Sequence, residues 1–229
     1  MGDIGIRLQL RKSWVFESGS YVRWSFLLRT GFMATNLHTN SQTQAIASDC
    51  RTNASDGELL GAKKSDFALA FSIEHPDILQ HYEHAKVKGK ALSQMSDVYT
   101  SRLILHTTAE VKKFGGNETE AQGQLFANLG GGVIRQRSLL SEAAGEDNAK
   151  PLLGWTIVGH SWKLYAAVGV GNTLVSPIHI FGPLPGCSCS TSNHEEIFKL
   201  LRIVAQVKTW AKEDYWPWFK ERVLEPMKK

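Results

Sequence analysis

Apolar and polar positions alternate in blocks along this chain, and the block lengths predict a series of strands. A nearly continuous apolar run covers residues 65–73, and a second strand-like run covers residues 102–112. Three shorter runs follow at 153–158, 162–168 and 173–180, separated by turns that contain glycine. Short apolar runs bounded by turn residues are typical of strands in a sheet whose two faces are both covered.

Helical periodicity is present in three further segments. The first covers residues 22–33. The second begins at Asn117, whose spacing to Glu120 is that of a capping box, and we expect the glycines at 130–132 to end it or loosen it. The third begins at Ser192, which we interpret as its cap. Its apolar stripe consists of Ile197, Leu200, Leu201, Val204 and Val207.

The order of these elements predicts one α/β domain, because helices and strands alternate along the chain. Residues 34–61 are rich in Asn, Thr, Ser and Asp. We therefore interpret residues 1–62 as an N-terminal helix and a poorly ordered loop that belong to the same domain, and residues 63–229 as its core. The aromatic run at 215–219 has helical spacing and is predicted to pack into this core.

The composition places the chain among ordinary globular proteins. Of its 229 residues, 42% are hydrophobic and 21% are charged, and the formal net charge of +4 suits an anionic partner without requiring one. Three cysteines are too few for a disulfide framework and indicate a reducing compartment. The sequence has neither the apolar core of a signal peptide nor an apolar run of about 18 residues, so we expect an intracellular protein without a membrane span.

Two groups of residues of metal-ligand type are not interpreted as metal sites. Cys187, Cys189 and His194 lie close together, but their spacing matches no common structural-zinc pattern and a fourth ligand is missing. Residues 74–95 are polar and rich in histidine, and we interpret this segment as a loop with solvated histidines.

The chemistry of the chain centres on Glu110 and Lys112, at the end of the run 102–112. Residues two apart in a strand face the same way, so a carboxylate and an ammonium project side by side. About one such pair is expected by chance in a chain of this size, and a surface ion pair explains it equally well. Asp66 begins the earlier apolar run, and if the two strands are neighbours, Asp66 and Glu110 share a site that suits Mg²⁺.

Together these residues resemble the PD-(D/E)XK nuclease signature, and more specifically the nuclease-like domain of this type found widely in fungal proteins. The matching stretches are residues 65–69, 109–117, 120–125, 159–162 and 215–219, within a resemblance that covers residues 63–224. The resemblance implies a single α/β domain with a central mixed sheet flanked by helices, built on a restriction-endonuclease-like core.

The resemblance also implies roles for individual residues. Asp66 and Glu110 correspond to the ligands of Mg²⁺ or Mn²⁺, and Lys112 to the residue that orients the nucleophilic water. Gln124 is the best match to the glutamine that supports such sites from the following helix, and Gln122 is the second match.

The chain departs from the family pattern at three places. Ser65 stands where the family has the proline that gives the motif its name. The first sixty residues match the family only weakly, and Glu17 is the candidate there for the acidic residue that an N-terminal helix often contributes to the metal site. The glycines at 130–132 stand where related sequences continue the helix with an aromatic residue, which predicts a shorter helix behind the site.

Two functions follow from this reading. The first is a Mg²⁺-dependent nuclease acting on DNA or RNA. The second is a nuclease-like fold that serves as a non-nucleolytic enzyme of fungal small-molecule (secondary metabolite) biosynthesis, or as a binding module, because a fold persists when its original activity is lost. An apolar pocket beside the site would favour the second function, and a basic groove leading to Asp66 and Glu110 would count against it.

Overall fold

The computed structural model of the protein describes seven segments of the chain. They are residues 44–50, 64–71, 75–87, 90–143, 149–171, 173–174 and 176–227. The predicted helix at 22–33 and the candidate ligand Glu17 lie outside the described residues, as does most of the predicted loop at 34–61.

The strands and helices below are numbered in chain order. The strands are β1 (Gln44–Ala45), β2 (Lys64–Ser65), β3 (Phe67–Ala70), β4 (Leu105–Lys112), β5 (Leu152–Val158), β6 (Ser161–Gly169), β7 (Ile178–Phe181) and β8 (Ser188–Ser190). The α-helices are α1 (Pro76–Val87), α2 (Glu118–Glu142), α3 (His194–Trp210), α4 (Trp216–Phe219) and α5 (Glu225–Met227). Short 3-10 helices cover Ser48–Cys50 and Thr100–Arg102, and π-helical turns cover Ala211–Tyr215 and Lys220–Leu224.

The predicted central mixed sheet flanked by helices is confirmed. Six strands form it, five of them in the order β3-β4-β5-β6-β7. The sixth, β8, pairs with the beginning of β6, along the same edge on which β7 pairs with the end of β6. The β4–β5 pair is parallel and the other pairs are antiparallel. A parallel pair needs a crossover connection, which α2 provides on one face of the sheet. β1 and β2 form a separate two-stranded sheet.

Helix α2 does not end at its glycines, so the predicted shortening is wrong. Asn117 caps the helix, its side chain accepting a hydrogen bond of 3.1 Å from the Glu120 N–H. A Cβ atom on Gly131 would lie 2.8 Å from the Cys50 carbonyl oxygen, and one on Gly132 would collide with Leu152 Cδ1. The glycines therefore let the helix approach its neighbours closely, and packing offsets their poor helix propensity of about 1 kcal/mol each.

Helix α3 covers the opposite face of the sheet. Its cap is Asn193 and not the predicted Ser192, because the Asn193 side chain accepts a 2.9 Å hydrogen bond from the Glu196 N–H. Of the predicted stripe, Leu200 and Val207 are buried, and Ile203, which the stripe did not include, is buried with them. These three residues pack against the sheet at Trp155, Ile157, Trp162 and Leu164.

The segment 74–95 is not a loop, since it contains helix α1. His81 on this helix is 1% exposed and lies edge-on to Trp216, with ring centroids 5.8 Å apart, so this histidine is not solvated. The local sequence does not reveal this burial, because the residue that covers His81 is Trp216, which is distant in the chain.

Strand positions also differ in detail from the sequence pattern. β3 lies at the edge of the sheet and Leu69 is 42% exposed, so this strand is not buried on both faces. The last predicted strand begins at Ile178, and the segment after it, which shows no strand pattern in the sequence, contains β8. The aromatic run at 215–219 is confirmed as core at Tyr215, Trp216 and Phe219.

Candidate metal site at the end of strand β4

The register of β3 and β4 brings Asp66 beside Glu110. Phe67 lies opposite Ala109 in this antiparallel pair, and continuing the register by one residue sets Asp66 opposite Glu110. Directly opposite residues project from the same face of a sheet. The Asp66 carboxylate is also anchored to β4, because its Oδ2 accepts a 2.8 Å hydrogen bond from the Val111 N–H. The structure therefore brings together the two predicted metal ligands.

Glu110 is the most perturbed group of this site. Its side chain is fully buried, and neither carboxylate oxygen has a hydrogen bond of normal geometry within the described part of the chain. Burial, and then the charge of the neighbouring Asp66, raise the pKa of Glu110 to about 9, while the charge of Lys112 opposes this shift. A buried carboxylate without a partner is costly, so this position favours either a proton or a cation.

The residues present fit a hydrated divalent cation. Two adjacent carboxyl groups, one of them with both oxygens unpartnered, offer hard oxygen ligands of the kind that Mg²⁺ prefers when it retains several waters. No group of three or more His, Cys, Asp or Glu side chains within the described segments could hold a metal ion. A cation here would therefore rely on Asp66, Glu110 and water.

Lys112 and Gln124 meet at a third residue, Glu120. The Lys112 Nζ lies 2.8 Å from Glu120 Oε1, and Gln124 Nε2 donates a 3.0 Å hydrogen bond to the same oxygen. The Lys112 side chain is 21% exposed, which places its ammonium group at the surface above the buried Glu110. Gln124 thus joins the site through Glu120, and its hydrogen bond fixes the carboxylate that holds Lys112.

A second lysine–glutamate pair lies on the same face of the sheet. Glu110 pairs with Thr156 on β5, and Thr156 pairs with Lys163 on β6, so the three side chains form a row across three strands. Lys163 donates to Glu118. Gln122, the second predicted supporting residue, donates a 3.3 Å hydrogen bond to Glu118 and a 3.0 Å hydrogen bond to the Tyr165 hydroxyl. Gln122 therefore belongs to this second cluster.

Sequence reasoning missed Glu118, Glu120 and Lys163 as parts of the site. The Asn117 cap could have indicated that both glutamates lie in the first turn of α2, close to the end of β4 in sequence. Nothing comparable indicated Lys163, because its place depends on the register between β4 and β5. A crossover helix of 25 residues separates these strands, and no short turn fixes their pairing.

Two concave regions of the described surface lie away from these residues. A concavity of about 410 Å³ is lined by Arg202, Gln206, Trp210 and other residues of α3 and the turn after it. A cavity of about 10 Å³ lies beneath the first half of β4, beside His106 and Thr108, and is too small for a substrate. Neither is lined by Asp66, Glu110 or Lys112.

Comparison with known proteins identifies the family. A family model described as PD-(D/E)XK nuclease superfamily matches residues 21–216. Searches of curated proteins and of solved structures find no match. Among the helices that the structure describes, none is long and apolar enough to cross a membrane. Because the matched region covers most of the chain and contains all the candidate site residues named above except Glu17, the chain belongs to the PD-(D/E)XK nuclease superfamily.

Proposed function

We propose that the protein is a metal-dependent nuclease that hydrolyses phosphodiester bonds in DNA or RNA. The observation that carries this proposal is the state of Glu110, a buried carboxyl group with two unpartnered oxygens beside Asp66. In a purely structural role such a group would only destabilise the folded state, because burying a carboxylate without a hydrogen-bond partner is unfavourable. It lies two residues from Lys112, whose ammonium group is partly exposed, so substrate can approach the pair from solvent.

In this proposal Asp66 and Glu110 hold Mg²⁺ or Mn²⁺. When bound, the cation lowers the pKa of a water and stabilises negative charge on the phosphate. Glu110 must be ionised to act as a ligand, and its raised pKa means that metal binding displaces a proton. The affinity for the metal therefore increases as the pH rises toward about 9.

Lys112 is the proposed catalytic residue that donates a hydrogen bond to the attacking water or to a phosphate oxygen. Glu120 acts as a positioning residue, since it holds the Lys112 ammonium group at 2.8 Å. Gln124 in turn fixes the Glu120 carboxylate. A substrate phosphate competes with Glu120 for the same ammonium group, and the ion pair orders Lys112 before substrate binds.

The alternative function, a repurposed fold acting on a small molecule, requires a pocket of substrate size. The two concavities described above are not lined by the proposed metal ligands, and one of them is only about 10 Å³. The exposed Lys113, which forms no ion pair within the described part of the chain, favours an extended polyanion over an enclosed apolar ligand.

The proposal is tested by incubating the purified full-length chain with plasmid DNA, single-stranded DNA and RNA, in Mg²⁺, Mn²⁺ or EDTA. We expect cleavage that needs the metal and that falls by about 10³-fold or more in Glu110→Ala, because several kcal/mol of charge stabilisation are lost. Glu195→Ala removes an exposed glutamate on α3 and should cleave like the wild type. Cleavage that persists unchanged in Glu110→Ala would reject the proposal.

Metal binding is measured separately by calorimetry without nucleic acid. We expect Mn²⁺ to bind the wild-type chain with release of protons in buffers near pH 7, and both Asp66→Asn and Glu110→Ala to abolish that heat. A folded wild-type protein that binds neither Mg²⁺ nor Mn²⁺ would remove the basis of the proposed chemistry.

A further inference from the structure

Phe114 is an exposed aromatic residue immediately beside the candidate site. Its exposed fraction of 83% is the highest among the large hydrophobic residues identified as exposed in the described segments. It follows Lys112 by two residues, in the turn that joins β4 to the cap of α2. Single exposed hydrophobic residues are common, so the exposure by itself carries no functional meaning. The position and the rigidity of this one give it meaning.

The backbone around Phe114 is held by hydrogen bonds on both sides. The Gly116 N–H donates to the Lys113 carbonyl at 2.8 Å, which closes the turn, and Gly115 supplies the positive φ of +71° that the turn requires. The Gly159 N–H donates to the Lys112 carbonyl at 2.9 Å and ties the β5–β6 hairpin to the end of β4. Phe114 is thus presented from a fixed turn.

The packing of Phe114 leaves most of its ring in solvent. A Cβ atom on Gly159 would lie 3.0 Å from both Cα and Cδ2 of Phe114, so the absence of a side chain at Gly159 lets one edge of the ring rest on the hairpin. The next residue of that hairpin, His160, is exposed as well. An aromatic ring that is supported at one edge and open elsewhere is suited to stacking.

The charges around Phe114 favour an anionic partner. Lys113 precedes it, is exposed, and forms no ion pair within the described part of the chain. Glu118 and Glu120, at the start of the following helix, are already paired with Lys163 and Lys112. The turn therefore presents an aromatic ring next to an uncompensated positive charge.

We propose that Phe114 is a base-stacking residue, and that the substrate presents an unpaired base to it next to the phosphodiester group held at Asp66 and Glu110. This inference rests on the proposed nuclease function and narrows its substrate to single strands, overhangs or other unpaired regions. Aromatic side chains beside cationic groups bind single-stranded nucleic acids through base stacking and phosphate attraction. A fully paired duplex offers no free base face unless a base is first unstacked and unpaired, at a cost of a few kcal/mol.

The test measures binding in EDTA, so that cleavage does not interfere. The probes are a single-stranded DNA oligonucleotide that carries 2-aminopurine and the same sequence as a blunt, fully paired duplex. We expect Phe114→Ala to weaken single-strand binding by about 10-fold, because one stacked base is lost, and to change duplex binding by less than about 2-fold. Phe114→Trp should retain the single-strand affinity.

The fluorescence of 2-aminopurine reports stacking directly. We expect binding of the wild-type protein and of Phe114→Trp to quench this fluorescence. The weaker binding that remains in Phe114→Ala should not quench it. Phe198→Ala is the matched control, because Phe198 is an aromatic residue with 71% exposure on α3, on the opposite face of the sheet. It should behave like the wild type in both measurements.

The outcomes separate this inference from the proposed function. Glu110-dependent cleavage with single-strand binding that Phe114→Ala does not change would overturn the stacking inference alone. Single-strand binding and quenching that depend on Phe114, without any metal-dependent cleavage, would support the stacking inference and reject the nuclease proposal. No binding of either oligonucleotide would overturn the stacking inference.

Discussion

The two faces of the central sheet are built from the same strands but carry opposite chemistry. On β5 and β6, Trp155 and Trp162 project toward α3, while Thr156 and Lys163, each the next residue along, project toward α2. The α3 face is an apolar cluster in which the two tryptophan rings meet edge to face, with centroids 5.8 Å apart. The face toward the beginning of α2 contains a buried carboxyl group and two lysine–glutamate pairs.

This difference separates stability from chemistry within one sheet. The α3 face buries mainly hydrocarbon, so its contacts favour folding directly. The α2 face becomes apolar only further along the helix, at Leu125, Leu129 and Val133. Its polar end retains Glu110 with unpartnered oxygens, which is unfavourable for folding. We infer that the apolar clusters hold the polar strand end in place.

The largest expected effect comes from the α3 face. Trp162→Ala should lower the free energy of unfolding by about 3–5 kcal/mol, because it removes a buried indole and leaves a cavity beside Trp155. Urea denaturation followed by circular dichroism measures this loss.

The matched control is the neighbouring residue on the opposite face. Lys163→Ala should change stability by less than about 1 kcal/mol, since its ion pair with Glu118 is partly exposed. An equal loss from both substitutions would show that the two faces do not differ as proposed.

The second prediction concerns Glu110, where we expect a substitution to increase the stability of the protein. In EDTA, Glu110→Gln should raise the free energy of unfolding at pH 7 by on the order of 3 kcal/mol. The reason is that the wild-type protein has to take up a proton at Glu110 when it folds at this pH, or else bury the charged carboxylate, and the amide needs neither. The same substitution should abolish metal-dependent cleavage.

The dependence on pH distinguishes this explanation from a general packing effect. The pKa of Glu110 is raised from its ordinary value of 4.5 to about 9 in the folded protein, so the folded state binds one more proton than the unfolded state between these values. Stability should therefore be highest below about pH 4.5 as far as this group is concerned, and should fall as the pH rises toward 9. In Glu110→Gln this decline should be absent, and an unchanged decline would contradict the assignment.

The smallest of the three effects compares two glycines of the same helix. Gly131→Ala should destabilise the protein by about 1–3 kcal/mol, because its Cβ would lie 2.8 Å from the Cys50 carbonyl oxygen and the backbone would have to move. Gly123→Ala has open space around the new methyl group and should stabilise the protein by about 0.5–1 kcal/mol through helix propensity. Thermal unfolding of both variants measures this contrast. Stabilisation by Gly131→Ala would mean that the close approach of α2 is not required.

Local patterns predicted those elements whose signal lies within one segment. The sequence correctly predicts the end of β4, the Asn117 cap and the buried aromatic run, because apolar period, capping chemistry and helical spacing are local properties. The sequence predicts a solvated loop around His81 and a shortened helix at the glycines of α2, and both predictions are wrong. In both cases the deciding contacts come from distant residues, Trp216 for His81 and Cys50 and Leu152 for the glycines.

The candidate site divides in the same way. The sequence by itself determined that Glu110 and Lys112 project together from a strand end, because alternation along a strand is a property of the backbone. Only the tertiary structure decided that Asp66 lies beside Glu110, that Glu120 holds Lys112, and that Lys163 joins the same face. These relations depend on strand register and on the seating of α2 against the sheet. Packing of the whole domain fixes both, since no short turn links β4 to β3 or to β5.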